Sequence, residues 1–165
     1  MLGVGVLILG SSGIGKSETA LELIQRGHRL VADDVVELRR DGANLMGESP
    51  ELIRHHLEIR GIGILFIPDL YGPKAVRDRW RVELECRLEQ WQAGREYERV
   101  GIVRPTREVL GVTLPSLLLP VRPAGSMATL VEVAVRDHLK RAAGVVAASR
   151  LDERVRSRAN PESGR

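Results

Sequence analysis

Gly10-Ser11-Ser12-Gly13-Ile14-Gly15-Lys16-Ser17 is the stretch that decides the fold. It fits G-x-x-x-x-G-K-[ST], the phosphate-binding loop. Before it runs Val4-Gly5-Val6-Leu7-Ile8-Leu9, an apolar run that suits a buried strand. After it, Glu18 to Arg26 suits a helix closed by Gly27. The glycines let the backbone curl so that consecutive N–H groups point inward as an anion cradle. A helix beginning near Lys16 adds the positive end of its dipole. Lys16 brings a mobile positive charge to the outer phosphates, and Ser17 offers a hydroxyl oxygen to magnesium. Gly10, Ser11, Ser12, Gly13, Ile14, Gly15, Lys16 and Ser17 are therefore the candidate nucleotide-binding residues. The same composition would also serve as a glycine-rich turn with a surface lysine.

The chain has 165 residues, enough for one α/β domain with a proper core. Its composition, 43% hydrophobic and 28% charged, is that of an ordinary globular protein. A net charge of +3 is spread along the chain rather than massed, so a nucleic-acid partner is not expected. Five aromatics (Phe66, Tyr71, Trp80, Trp91, Tyr97) are too few for a base-stacking platform. The lone cysteine, Cys86, has no internal disulfide partner, suits core packing and is compatible with the cytoplasm. No apolar run approaches the ~18 residues of a transmembrane helix, so no membrane partner is expected. The chain starts almost inside its first strand, as though an N-terminal part were missing.

Two units are expected: a catalytic domain over 1–149 and a polar tail over 150–165, read as a frayed helix end or disordered. Arg29 to Ala32 reads as a second strand ending in Asp33-Asp34 and continued by Val35 to Leu38. Asp41-Gly42 is a turn signal. Asn44 to Leu57 reads as a connecting segment with a short helix after Pro50. Glu58 to Ile67 carries a buried-strand pattern broken at Leu70 to Pro73. Val82, Leu84, Cys86 and Leu88 alternate with charged residues, a half-buried strand. Gln90 to Arg99 is a polar loop, and Val109 to Leu119 strand plus turn. Pro120 to Ser126 is a stiff loop, and Met127 to Ala148 one helical stretch.

A strand-end acidic pair falls where a metal-anchoring aspartate of a phosphate-loop protein would sit. Neighbouring strand residues face opposite ways, so one split puts Asp33 on the metal side, through water, and Asp34 toward the acceptor as general base. A solvated acidic turn is the other reading. Glu58 and Arg60 share a face, which equally suits a surface ion pair. Arg99, in a polar loop, is by sequence only a surface residue; Arg122, between prolines, is a better anion contact. His55 and His56 lack metal-ligand spacing and read as surface or packing residues.

Taken together, Gly10 to Ala20, Arg26 to Asp34 (RGHRLVADD), Leu57 to Ile64 (LEIRGIGI) and Pro120-Val121-Arg122-Pro123 resemble the catalytic domain of the bacterial HPr kinase/phosphorylase family, from about residue 3 to about 148. The resemblance implies a phosphate-loop-containing, twisted mixed β-sheet with flanking helices, of the PEP carboxykinase-like kind. It implies a protein-serine kinase that uses ATP or pyrophosphate with Mg2+ to phosphorylate the phosphocarrier protein HPr, and that removes the phosphate by phosphorolysis. It further implies carbon-metabolism regulation, a cytoplasmic location and a homo-hexamer. Carried over, Lys16 is catalytic, Ser17 and Glu58 are magnesium ligands, Asp34 is the proton acceptor and Arg99 an active-site arginine. Leu57 to Phe66 and Pro120 to Gly125 match segments tied to dephosphorylation.

The chain departs from that pattern. It begins too late for the family's upstream active-site histidine and its usual N-terminal domain. Ala124, Gly125 and Ser126 stand where Gly-Arg-Asn is common, and Phe66 replaces a frequent polar residue. Kinase activity is therefore expected to survive better than the reverse reaction. The alternatives are a phosphate-loop small-molecule kinase or hydrolase, and a kinase-only or regulatory nucleotide-binding remnant.

Overall fold

The computed structural model describes residues 1–122 and 125–159. Strand β1 (Gly5–Leu9) leads through the glycine-rich loop into helix α1 (Lys16–Gln25). A hairpin follows, β2 (Glu37–Asp41) and β3 (Asn44–Glu48), closed over Gly42 at φ 59°. The positive φ is what a two-residue hairpin turn demands. A second hairpin pairs β4 (His56–Ile59) with β5 (Gly63–Phe66), and a short helix, α2 (Ile67–Tyr71), comes after it. The twelve-residue β6 (Arg79–Gln90), the hairpin of β7 (Thr106–Val109) and β8 (Val112–Val121), then α3 (Met127–Ala142) and α4 (Ala147–Ala159) complete the chain.

The main sheet is mixed and is organised by β6. Val82 faces both Leu45 and Gly5, so β3 and β1 lie on opposite edges of β6; β8 takes over the β3 edge from Glu85 onward. β1, β6 and β8 run parallel, while β2–β3, β3–β6 and β7–β8 are antiparallel. The carboxyl ends of the three parallel strands therefore share one rim. The rim carries Gly10–Ser17 after β1, residues 91–105 after β6 and Arg122 after β8.

Val82, Leu84, Cys86 and Leu88 are all buried as the alternation predicts, but β6 is not half-buried: Glu85 between them is buried too, and the irregular register beside Gly5 and Val6 turns Val82 to the side opposite Leu84 and Cys86. Leu84 and Cys86 pack with Val4, Leu23, Ala128, Val131 and Val135, joining sheet to α1 and α3. On the other side Leu7, Leu45, Val82 and Leu114 form a second cluster. Burial pushes the Cys86 thiol up to about 12, so it is a packing residue and unreactive near neutral pH. Helix α3 buries Met127, Ala128, Val131, Ala134 and Val135, the stripe expected of an amphipathic helix. Its N-cap is Ser126, whose hydroxyl accepts from the Thr129 N–H at 3.0 Å.

Several sequence expectations need correction. Arg29 to Ala32 is not a strand: Leu30 alone bridges Val76, exchanging bonds with Ala75 and Arg77 at 2.8 Å. No longer neighbour runs beside it, and a strand needs a ladder to persist. Val35 and Val36 precede β2 rather than extending a strand. The segment 44–57 holds β3 as well as the single 3-10 turn (Glu51–Ile53) after Pro50. The pattern over 58–67 is a hairpin rather than one buried strand, with Ile62 and Ile64 exposed by 69% and 74%. Met127 to Ala148 is two helices. Gly144, at φ 77°, ends α3, and the Gly144 and Val145 N–H groups bond back to Arg141 and Lys140. Residues 150–159 of the expected tail are helical, as part of α4. Pro123, Ala124 and residues 160–165 lie outside the described residues.

Candidate active site

Loop and helix meet at Gly15, which adopts φ 99° and leaves α1 without a side-chain cap. The first N–H groups of such a helix have no intrahelical partners and favour an anion. Close packing fixes the loop's first glycine and a positive φ the other two, at 78° for Gly13 and 99° for Gly15. A Cβ on Gly10 would lie 2.9 Å from the Leu88 carbonyl oxygen and 2.8 Å from Ile14 Cγ2. On Gly13, at φ 78°, it would lie 2.8 Å from Arg60 Nη1. Lys16 Nζ donates to the Ser11 carbonyl at 3.3 Å, curled over the loop it follows.

The acidic pair lies in the bend after Leu30, yet its two carboxylates still diverge. Asp33 is drawn inward: Ser17 Oγ donates to Oδ1 at 3.0 Å, and the Glu58 N–H donates to Oδ2 at 3.0 Å. Burial raises its pKa, outweighing the Glu58 and Ser17 hydrogen bonds that favour the charged form. Asp34 stands outward, with a side chain 63% exposed and Oδ1 3.7 Å from Lys16 Nζ. The loop lysine, an exposed acid and a half-buried acid thus converge at the head of α1. Tertiary packing is responsible: Leu30 and Ile24 are buried with Leu57, Ile59 and Ile67, which seats the β4–β5 hairpin against α1.

Glu58 is exposed at the end of that hairpin and its N–H holds Asp33. Among the described residues no three His, Cys, Asp or Glu side chains cluster as a metal cage. Magnesium asks for less: one or two carboxylates, with phosphates and waters filling an octahedron. Ser17, Asp33 and Glu58 fit that requirement, because the Ser17 hydroxyl and the half-buried Asp33 carboxylate are already in contact, with the Glu58 N–H on the other Asp33 oxygen.

Arg99 lies in the exposed loop 91–105 and makes no side-chain ion pair or hydrogen bond among the described residues. The loop around it is well held. Trp91 and Tyr97 stack at 4.8 Å between ring centroids, Arg122 lies 4.1 Å over Trp91, and Arg95 lies 5.7 Å over Tyr97. Glu98 accepts from the Val100 and Gly101 N–H groups, both at 2.7 Å. Arg122 is thus engaged with an aromatic ring. His55 pairs with Asp78 at 3.0 Å and both His55 and His56 lie beside Phe66, which is a packing role.

Two features escaped the sequence. Arg60 does not pair with Glu58; Nη2 donates to Ser12 Oγ at 3.0 Å, across 48 positions. No local pattern encodes such a contact. A cavity of about 470 Å³ also opens along β1, and its lining includes Lys16, Asp33, His28 and Trp80.

A mixed sheet with flanking helices, carrying a glycine-rich loop between its first strand and first helix, defines the class: an α/β domain of mixed-sheet architecture. More narrowly, the chain belongs to the family of the HPr serine kinase C-terminal domain, whose model matches residues 1–155. It is 48% identical over 163 residues to the HPr kinase/phosphorylase of Caldicellulosiruptor bescii, covering 98% of this chain and 52% of that protein. The HPr kinase/phosphorylase of Caldanaerobacter subterraneus subsp. tengcongensis is 49% identical over 154 residues, 93% of this chain and 50% of the relative. The chain therefore spans about half the length of these relatives. A solved structure, the HPr(Ser) kinase/phosphatase from Coxiella burnetii, superposes with a TM-score of 0.80 at 36% identity, covering 86% of each chain. That likeness bears out the expected α/β mixed sheet with flanking helices.

Proposed function

We propose that this domain is the catalytic part of an HPr-type protein-serine kinase/phosphorylase, using ATP or pyrophosphate with Mg2+. The observation that carries the reading is the 3.7 Å approach of exposed Asp34 to Lys16 at the mouth of the glycine-rich loop. A serine hydroxyl is a poor nucleophile until its proton has somewhere to go. Asp34 takes that proton as the acceptor oxygen bonds to the terminal phosphorus and the bridging phosphorus–oxygen bond breaks, releasing ADP from ATP or phosphate from pyrophosphate. Lys16 and the loop N–H groups stabilise charge on the transferring group. Asp33, both oxygens engaged, orients Ser17 and the Glu58 turn rather than meeting substrate. Magnesium, when bound at Ser17, Glu58 and the Asp33 side, supplies charge neutralisation on the phosphates. Arg99, on the same rim, is assigned to the phosphoryl group. In reverse, a hydrogen-phosphate oxygen gives its proton to Asp34 and bonds to the phosphoserine phosphorus; the serine oxygen–phosphorus bond breaks, Asp34 passes the proton to the serine oxygen, and pyrophosphate is the product.

The names of the relatives support HPr as acceptor; a cytoplasmic location and a homo-hexamer belong to the same proposal. No helix among the described residues is long and apolar enough to cross a membrane. Incubation with γ-labelled ATP, magnesium and HPr tests the reading. Label on HPr is the expected result; release of free phosphate without labelled protein would favour a hydrolase or small-molecule kinase, and nucleotide binding alone a regulatory module. The same preparation, given phospho-HPr and inorganic phosphate, is expected to yield pyrophosphate more slowly than it phosphorylates HPr.

A further inference from the structure

We infer that Arg60 contacts phosphate oxygens held at the glycine-rich loop, as a second cation opposite Lys16. The inference rests on the function proposed above and names a residue which that mechanism does not use.

Arg60 follows β4 directly, at the turn into β5. Its carrier is rigid: Leu57 and Ile59 are buried against Ile24 and Ile67, and the Glu58 N–H is tied to Asp33 at 3.0 Å. From this platform the guanidinium reaches Ser12 Oγ at 3.0 Å and stands so close to Gly13 that a Cβ there would meet Nη1 at 2.8 Å. Lys16 Nζ meanwhile lies 3.3 Å from the Ser11 carbonyl oxygen. Two cations from separate elements thus stand over adjacent loop residues. Lys16 has Asp34 nearby, but Arg60 has no carboxylate partner among the described residues. A single neutral hydroxyl is a weak match for a five-donor fork. Two like charges beside loop N–H groups of the same sign repel one another unless an anion lies between them. A tetrahedral phosphate offers paired oxygens that suit the fork, which lysine cannot imitate. The glycine at position 13 gives the guanidinium the room that such a contact needs.

Pyrophosphate is the probe, with binding followed by calorimetry in the presence of magnesium. Arg60→Gln is expected to weaken binding by about 10- to 100-fold, as loss of a charge-assisted hydrogen bond does. Arg60→Lys should recover part of the loss. Salt dependence separates contact from mere bracing of the loop. Removing a contacting cation flattens the rise of log Kd with log salt, whereas removing a brace leaves the slope unchanged. Crystals of the wild-type protein grown with pyrophosphate should show an Arg60 nitrogen within about 3 Å of a phosphate oxygen. That structure decides the matter even if the glutamine variant folds poorly. Unchanged affinity in a folded Arg60→Gln protein, an unaltered salt slope, or Arg60 remaining on Ser12 with no phosphate oxygen in range would each overturn the inference. Failure of the wild-type protein to bind pyrophosphate would instead overturn the proposed function.

Discussion

Asp33 and Asp34 are chemically identical neighbours whose surroundings give them different work. Asp33 spends its acceptor capacity on Ser17 and on the Glu58 N–H, and burial disfavours its charge. Asp34 faces solvent beside Lys16 and has room for an incoming alcohol. Asp34→Asn is therefore expected to lower phosphoryl transfer by about 10²- to 10⁴-fold, the usual worth of a general base. Nucleotide binding should stay within a few-fold of wild type in the same preparation. Lys16→Ala should weaken both, because its charge acts on the phosphates in ground and transition states alike. Single-turnover transfer and equilibrium binding, measured side by side, check the contrast. Loss of binding with unaltered turnover per bound nucleotide in Asp34→Asn would mean that the role is misassigned. The loop, its lysine and the acidic pair were legible because each is a local pattern. Arg60 was not, because its partner lies 48 residues away.

Among elements, β1 shows how close approach sets a residue. β1 is the strand that delivers the loop, and it lies parallel to β6 with an irregular register between Gly5 and Val6. A Cβ on Gly5 would fall 1.8 Å from the Arg81 carbonyl oxygen and 3.0 Å from the Trp80 ring. Backbone cannot yield as a side-chain tip can, so β1 must move or detach. Gly5→Ala is expected to cost about 3 kcal/mol or more, at the upper end for overpacking. A urea midpoint shift checks it; an unchanged midpoint would show that β1 and β6 tolerate a wider gap. Periodicity found α1 and most of α3, where one face is buried along the element, and it found β6 as a strand but not that both of its faces are covered. It failed at Arg29 to Ala32, which has strand composition but no ladder, and at Ala143-Gly144, where two amphipathic stretches abut.

Over the whole molecule, the rim of the parallel strands is held from behind by α3. Arg104 pairs with Asp137, Arg141 bonds to Asp137 at 2.8 Å, and Arg141 also donates to the Gly101 and Ile102 carbonyls. These contacts anchor the far end of the loop that displays Arg99. His138 lies among them. Burial lowers its pKa, Arg104 lowers it further, and Glu83 and Asp137 oppose both. A histidine depressed on folding contributes stability above its unfolded value, about 6.5, and loses it as pH falls through the folded value. The melting midpoint of the wild-type protein should therefore fall more steeply below about pH 6.5 than that of His138→Gln. Parallel curves for the two proteins would show that His138 titrates as it does in the unfolded chain.

The sequence by itself determined the strand, glycine-rich loop and helix at its start, the alternation of β6, the amphipathic face of α3 and the family. The elements follow from residue spacing within one stretch, where the backbone's own period carries the information, and the family from the resemblance of several separate motifs. Tertiary structure alone decided that Asp33 turns inward and Asp34 outward, that Arg60 reaches Ser12, and that loop 91–105 and Arg122 share a rim with Lys16. Those placements depend on which buried surfaces meet, Leu57 and Ile59 against Ile24 above all, and no spacing along one segment records a partner on another.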